Sequence, residues 1–165
     1  MPNWCSNSLQ VDGNSKDINR LPWTNNGLLL NPIIPTPSYL NPQQRYHWCL
    51  KHWGVKWDAT ITISAQEDDY LHLHFDTPWT APVAGISTIA LLFPNLDFSL
   101  DSSEPGCDWR AAFYWQQGEL VEEVNGTYYQ QSPLICPKCK SPYHPEIDLG
   151  GSIIYSECFE CGWTD

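Results

Sequence analysis

Four cysteines near the carboxyl end have the spacing of a metal site. Cys136 and Cys139 lie in the segment CPKC, Cys158 and Cys161 lie in CFEC, and eighteen residues separate the two pairs. A C-x2-C turn directs two thiolates at one ion, and two such turns complete the closed tetrahedral shell of a structural zinc site. The spacing therefore predicts one structural Zn²⁺ held by these four thiolates.

The length of this segment also favours a metal. Residues 133–165 number only 33, which is too few to form a stable hydrophobic core without a cross-link such as a bound metal. The Gly150-Gly151 pair predicts the turn of a ribbon hairpin, with residues 152–157 as its return strand. An iron centre of the same geometry is an alternative. A redox dithiol is disfavoured because two pairs are present and neither opens a helix in a βαβ unit.

A second group that could do chemistry is His72, His74 and Asp76. The three alternate along a predicted strand, so they share one of its faces. Two histidines at positions i and i+2 can bind a metal if a third ligand arrives, which makes a small metal-dependent enzyme one interpretation. The other interpretation is a polar sheet face in contact with water. No motif of a nucleotide-binding loop, a serine hydrolase, a zinc protease or a dinucleotide site is present, so we assign no catalytic residues and expect no enzyme.

The aromatic and thiol residues outside these groups are predicted mainly to pack within the fold. Trp53 and Trp57 flank Lys56, which suggests either a cation–π contact or an aromatic corner joining a helix to the sheet. Each of the three cysteines outside the ribbon is predicted to be a small buried hydrophobic residue. Three thiols with no even pairing also indicate a reducing compartment. They are Cys5, Cys49 and Cys107.

The hydrophobic pattern predicts the elements that position these groups. Alternation predicts strands at 3–12, 59–65, 70–76 and 96–100, and a hairpin of 110–117 with 119–124. Helical spacing of Tyr46, Cys49, Leu50 and Trp53 predicts a helix from Pro42 to His52, ended by Gly54. A second helix is predicted with Thr80 as its N-cap, Pro82 in its first turn, and a stripe of Val83, Ile86, Ile89 and Phe93.

The order strand, helix, two strands, helix, strand is that of a ferredoxin-like α+β plait. We therefore predict a plait with an extra carboxyl-terminal hairpin over residues 1–124, a linker over 125–132, and a small zinc ribbon over 133–165. Lys138 and Lys140 are the ribbon's only basic residues, against five acids, which favours a protein-contact or capping role for it.

Charge is distributed unevenly along the chain. The formal net charge is −11, and residues 58–123 hold twelve acids against Arg110 alone. Because binding to a phosphate backbone depends on Lys and Arg, direct nucleic-acid binding is disfavoured, although a local basic patch in the first third is not excluded. A negative surface instead suits a basic groove of another protein or of a protein–nucleic-acid complex.

The chain shows neither a membrane span nor a signal peptide. The longest apolar runs, such as Ile89 to Phe93, are too short to cross a bilayer, and MPNWCSNSLQ has no basic or apolar leader region. We expect a soluble cytoplasmic protein, in the cytoplasm of a host cell if a phage encodes it.

Four segments resemble one protein family. MPNWCSNSLQVDG at the start, WGVKWD at 53–58, FDTPWTAP at 75–82 and LDFSLDSSEPG at 96–106 are similar to the YubB ferredoxin-like family of phages and plasmids, over residues 1 to about 124. The resemblance implies the ferredoxin-like fold and a mobile-element origin, and it implies no catalytic residues. CPKC and ECFECG give the ribbon a short similarity to Lar-like restriction-alleviation proteins.

These observations predict a non-enzymatic acidic binding protein. Its expected role is to inhibit a host defence complex, of the anti-CRISPR or anti-restriction type, by occupying a basic surface. The alternatives are a nucleic-acid-associated regulator that acts through the zinc ribbon, and the metal-dependent enzyme built on His72, His74 and Asp76.

Overall fold

A six-stranded antiparallel sheet, with strand order β2-β3-β1-β4-β5-β6, dominates the computed structural model. The model describes residues 3–127 and, toward the carboxyl end, 134–135, 138–140, 142–143, 146–147, 153–155, 157–158 and 160–164. The sheet strands are β1 (Trp4–Gly13), β2 (Thr62–Gln66), β3 (Tyr70–Pro78), β4 (Leu96–Glu104), β5 (Trp109–Gln116) and β6 (Glu119–Gly126). The helices are α1 (Ser15–Ile18), α2 (Pro42–His52) and α3 (Val83–Leu92), with a 3-10 turn at Pro105–Cys107.

The order of the first four strands is that of the predicted ferredoxin-like plait. β1 lies between β3 and β4 and pairs antiparallel with both, while β2 pairs with the outer edge of β3. α2 precedes β2 and α3 precedes β4, which gives the βαββαβ order along the chain. The hairpin of β5 and β6 continues the sheet beyond β4, as predicted.

One face of the sheet forms the core with the helices. Because side chains alternate along a strand, Leu9 and Val11 of β1 point to the same side and are fully buried. Ile86 and Ile89 of α3 are also fully buried, and Trp115 of β5 donates its indole N–H to the Ser87 hydroxyl at 2.9 Å. The core therefore runs across the whole sheet, including the added hairpin.

Helix α2 forms where the sequence predicted it but buries a narrower stripe. Asn41 caps it through a capping box with Gln44, and Pro42 occupies the first turn. Cys49 and Trp53 are buried as expected, whereas Tyr46 and Leu50 are 41% and 37% exposed. The helix therefore forms as predicted from Pro42 to His52, and only part of its apolar stripe is buried.

The start of α3 differs from the prediction. Its N-cap is Pro82 rather than Thr80, and the Thr80 carbonyl accepts a hydrogen bond from the Thr77 hydroxyl at 2.7 Å. Trp79, at φ 73°, turns the chain just before this point, so the helix begins only at Val83. In the described part of the chain, no helix has the length and apolar character needed to cross a membrane.

Short paired strands make up the described part of residues 133–165. β9 (Glu146–Ile147) pairs antiparallel with β10 (Ile153–Tyr155), on either side of the predicted turn. β7 (Leu134–Ile135) pairs with β8 (Pro142–Tyr143), and β11 (Glu157–Cys158) pairs with β12 (Trp163–Thr164). Gly150 and Gly151 themselves lie outside the described residues.

Candidate binding surfaces

The second face of the sheet is polar, and we call it the open face. Its residues alternate with the core positions and are exposed or half-buried. Its polar residues are Thr62 of β2, Ser6, Ser8, Gln10 and Asp12 of β1, Tyr70, His72, His74 and Asp76 of β3, Asp97, Ser99, Asp101 and Ser103 of β4, Arg110, Tyr114 and Gln116 of β5, and Glu119 and Glu122 of β6. The cross-strand registers place these residues side by side.

The predicted trio of His72, His74 and Asp76 lies on this face but does not converge on one point. The two imidazole rings are 4.5 Å apart between centroids, and His72 Nε2 hydrogen-bonds the Ser8 hydroxyl at 2.7 Å. Asp76 instead accepts a hydrogen bond from the Ser6 hydroxyl at 2.9 Å. Within the described residues, no three His, Cys, Asp or Glu side chains are arranged to hold a metal ion.

The surroundings of His72 disfavour its charged form. Burial lowers the pKa of His72, the neighbouring His74 lowers it further, and Asp101 partly opposes both effects. A neutral imidazole can donate at one nitrogen and accept at the other, so either group of the His72–Ser8 pair can be the donor. This pair could not be predicted from the sequence, because Ser8 lies 64 positions away and only the β1–β3 register brings it to His72.

An open depression of about 320 Å³ lies next to His74. Asp101 and Arg110 line it from β4 and β5, together with serines of β1 and β4. Asp101 and Arg110 were not singled out by the sequence patterns, and they meet here because β4 pairs with both β1 and β5. The depression offers hydroxyl, carboxylate, imidazole and guanidinium groups to a polar partner.

Carboxylates dominate the charge of the open face. Six acids, Asp12, Asp76, Asp97, Asp101, Glu119 and Glu122, share the face with one guanidinium, that of Arg110. Asp12 lies directly opposite Asp97 in the β1–β4 register. Burial raises the pKa of Asp12, and the charges of Asp97 and Asp69 raise it further. The face is therefore strongly negative at neutral pH.

A buried polar network lies on the core side at the same end of β1 as Trp4. The Asn7 amide donates to the Thr77 hydroxyl at 2.8 Å and to the Cys5 carbonyl at 2.8 Å. Its oxygen accepts from the Ser102 hydroxyl at 2.7 Å. Asn7 is only 4% exposed, so these partners satisfy a side chain that would otherwise be costly to bury.

Replacing Asn7 with alanine should destabilise the domain by about 2–4 kcal/mol, because the Ser102 hydroxyl loses its acceptor and the amide leaves a cavity. Urea unfolding followed by circular dichroism measures this. Ser6→Ala is the matched control, since Ser6 is the exposed neighbour on the same strand, and it should change stability by less than about 0.5 kcal/mol. Equal losses in the two variants would show that the network is not important for stability.

Three tryptophans and a lysine gather at the end of the sheet where β1 begins, and we call them the tryptophan patch. Trp4 contacts Trp57 edge to face, with ring centroids 6.4 Å apart. The Lys56 ammonium lies over Trp79, 5.1 Å from its ring centroid, so Lys56 pairs with neither Trp53 nor Trp57 as the sequence suggested. Trp4, Trp57 and Trp79 remain 49%, 44% and 45% exposed. Trp53, by contrast, is a core residue.

The remaining cysteines of the plait differ from one another. Cys5 and Cys49 are buried as predicted, and burial is the main cause that raises the pKa of Cys5 to about 11. Cys107 is exposed, contrary to the prediction, because it lies in the 3-10 turn after β4. Hydrogen bonding to Glu104 raises the pKa of the Cys107 thiol, which keeps the thiol protonated and weakly nucleophilic.

The described part of the predicted ribbon includes two of the four cysteine side chains, Cys139 and Cys161. Cys136 lies outside the described residues, and Cys158 belongs to β11. The residues that follow the second cysteine of each pair share one conformation: Lys140 and Gly162 both have φ 65°. Left-handed backbone suits glycine, and here it recurs at Lys140, the position that corresponds to Gly162.

Known proteins share the architecture of the plait. The family model described as the ferredoxin-like domain in Api92-like protein matches residues 53–132. This part of the chain is therefore similar to that domain. The crystal structure of api92 from Yersinia pseudotuberculosis superimposes with a TM-score of 0.58 at 11% identity, covering 81% of this chain and 100% of api92. That likeness supports the fold alone.

A sequence relative is the uncharacterized protein YubB of Escherichia coli (strain K12). It is 33% identical over 92 residues, which make up 53% of this chain and 62% of YubB. The chain thus spans less than two thirds of YubB. The resemblance to the YubB family predicted from the four motifs is confirmed, and the similarity to Lar-like proteins stays a prediction.

The motifs of the family resemblance meet at one end of the sheet, which the sequence could not show. Trp4 from the first motif contacts Trp57 from the second, and the Trp79 N–H from the third donates to the Asn3 carbonyl at 3.0 Å. Ser102 from the fourth reaches Asn7. Residues of all four segments therefore build the tryptophan patch and the network beneath it.

Proposed function

We propose that the protein is a non-enzymatic binding protein whose open face occupies a basic surface of another macromolecule. The observation that carries the proposal is the six-to-one excess of carboxylates over Lys and Arg side chains on that face. Complementary charge steers association and selects partners, and a groove lined with Lys and Arg is the natural complement of such a face.

The target class that we propose is a host defence complex of the CRISPR or restriction type. Such complexes hold nucleic acid in basic channels, and a carboxylate-covered sheet could occupy such a channel as a substitute for phosphates. The similarity of the four motifs to a family of phage and plasmid proteins supports this choice. The proposal needs no catalytic group.

Neutralising two acids of the open face should weaken capture of the target by at least about fivefold, since close charge pairs across interfaces carry large coupling energies. The variant is Asp12→Asn with Asp97→Asn, compared with wild type in pull-downs from bacterial lysate analysed by mass spectrometry. The wild-type capture should also fall sharply when the salt is raised, because exposed charges are screened.

The control carries the same net charge as the variant. Asp68→Asn with Glu123→Gln removes two acids from the turn after β2 and from the opposite side of β6, and it should retain the target. If the two double variants lose the target equally, net charge and not the open face is responsible. If wild type retains no protein even at low salt, the proposal fails.

We also propose that residues 133–165 bind one structural Zn²⁺ through Cys136, Cys139, Cys158 and Cys161. The support is the C-x2-C spacing together with the matching turns at Lys140 and Gly162. Bound zinc would supply the folding energy of the segment and no reaction, because four thiolates leave no open position for substrate. The ribbon would cap the plait or extend its contact surface.

A further inference from the structure

One segment beside the tryptophan patch is rich in cations. Between Asp17 and Asp58 the chain has no Asp or Glu for forty residues, yet it holds four Lys or Arg residues. Three of these, Arg45, Lys51 and Lys56, lie on α2 or just after it. In a chain of net charge −11, this segment is a separate cationic region.

The cations and the aromatic rings are in the same place. Arg45, Tyr46, Lys56 and Trp57 line one depression of about 280 Å³, and Trp57 joins it to Trp4. Lys56 links the depression to Trp79. Asp58, the acid at its rim, is engaged by three backbone N–H groups, those of Leu30, Asn31 and Ala59, at 2.7–2.8 Å.

The cations of this region contact neutral groups: Arg45 hydrogen-bonds the Cys49 thiol, and Lys56 lies over the Trp79 ring. In the part of the chain that the structure describes, Arg45, Lys51 and Lys56 make no ion pair with a carboxylate. The three tryptophan rings are almost half exposed, and Trp79 is held at φ 73°, a conformation that is uncommon for a bulky residue. Strained backbone that presents a side chain at the surface is found mainly at functional sites.

We propose that the tryptophan patch and the adjoining face of α2 bind single-stranded nucleic acid. Unpaired bases stack on exposed aromatic rings, and the phosphates between them pair with Lys and Arg, which is the arrangement found here. The expectation that the chain avoids nucleic acid rested on its overall charge, whereas Arg45, Lys51 and Lys56 come from a segment without acids. Of the open-face acids, Asp76 lies two residues before Pro78, the register partner of Trp4, while Asp12 and Asp97 pair at the opposite end of β1.

Fluorescence anisotropy of a labelled oligothymidylate of about twelve nucleotides tests this site. Wild type should bind at about 50 mM salt, and its affinity should fall as salt rises. Trp57→Ala should weaken binding by about tenfold, because one stacked base is lost. Lys56→Ala should also weaken binding. The plot of log affinity against log salt concentration should become shallower by about 0.7, because one phosphate contact is lost.

Two control variants lie at the other end of the sheet. Tyr70→Ala removes an aromatic ring opposite Asp12, and Lys16→Ala removes a cation in α1, and both should bind as wild type does. Thermal melts establish that every variant is folded. Equal weakening in controls and patch variants, or no binding at about 50 mM salt, would overturn the proposal. So would displacement of the oligonucleotide by polyglutamate at equal charge concentration, which would indicate a surface for acidic proteins.

Discussion

Replacing Cys139 with serine should reduce the zinc content from about one ion per chain to less than about 0.1. A structural site needs all four thiolates, since removal of one opens the shell and lowers the affinity by orders of magnitude. Zinc contributes roughly 10–16 kcal/mol of apparent folding energy in units of this size, so residues 133–165 should also become sensitive to protease. Elemental analysis after gel filtration measures the first effect, and limited trypsin digestion measures the second.

The same experiment separates the alternatives for this segment. Cys107→Ser removes an exposed thiol outside the ribbon and should keep the wild-type metal content. Iron in place of zinc would retain the geometry but change the assignment of the ion. Wild-type protein that contains no stoichiometric metal, or Cys139→Ser protein that contains as much as wild type, would refute the ribbon.

Replacing Trp53 with alanine should destabilise the plait by about 3–5 kcal/mol, which is a large part of the total stability of a domain of this size. Trp53 is 1% exposed, and its indole N–H donates to the Ile34 carbonyl at 3.1 Å. Its own carbonyl accepts from the Gly85 N–H at 3.2 Å, which joins the end of α2 to α3. The variant leaves a cavity at this junction and an unpaired carbonyl at Ile34.

Trp57→Ala is the matched comparison, because it makes the same substitution four residues later in the same motif. Trp57 is 44% exposed, so its loss should cost less than about 1 kcal/mol. Urea unfolding monitored by far-ultraviolet circular dichroism compares the two variants. A similar loss for both would mean that the tryptophan patch is part of the core, and it would also remove Trp57→Ala as a clean probe of ligand binding.

The two proposed surfaces together suggest how one small acidic chain can engage a complex. The open face is negative, while the tryptophan patch and α2 are positive and aromatic. A partner that contains both a basic groove and an exposed nucleic-acid strand would satisfy both surfaces. Because the experiments use different probes and different variants, either surface can fail without affecting the other.

Periodicity in the sequence predicted most of the elements of the plait. The alternation of apolar residues along β1 and β3 shows which side of each strand is buried, and the stripe at Ile86 and Ile89 does the same for α3. In a half-buried element, the apolar residues must recur with the period of that strand or helix. The ends of the helices and strands were predicted less accurately. The N-cap of α3 is Pro82 and not the predicted Thr80, because the position of a cap depends on the local backbone conformation. Trp79 at φ 73° redirects the backbone there, and no sequence pattern announces it.

The candidate sites were much less predictable than the fold. The residues His72, His74 and Asp76 could be recognised as neighbours because they lie on one strand. Ser8, Asp101 and Arg110 reach the same face only through pairing between strands far apart in sequence. The tryptophan patch combines residues from three separate segments in the same way.

The sequence by itself therefore determined the local features: the cysteine spacing, the amphipathic periods and the segregation of charge along the chain. Each of these depends on residues within about one element of one another. Tertiary structure decided which distant side chains share a surface, namely that six carboxylates lie on one face and that Trp4, Trp57 and Trp79 meet at one end. The physical reason is that strand order and register are fixed by burial of the whole sheet, a property that no single segment contains.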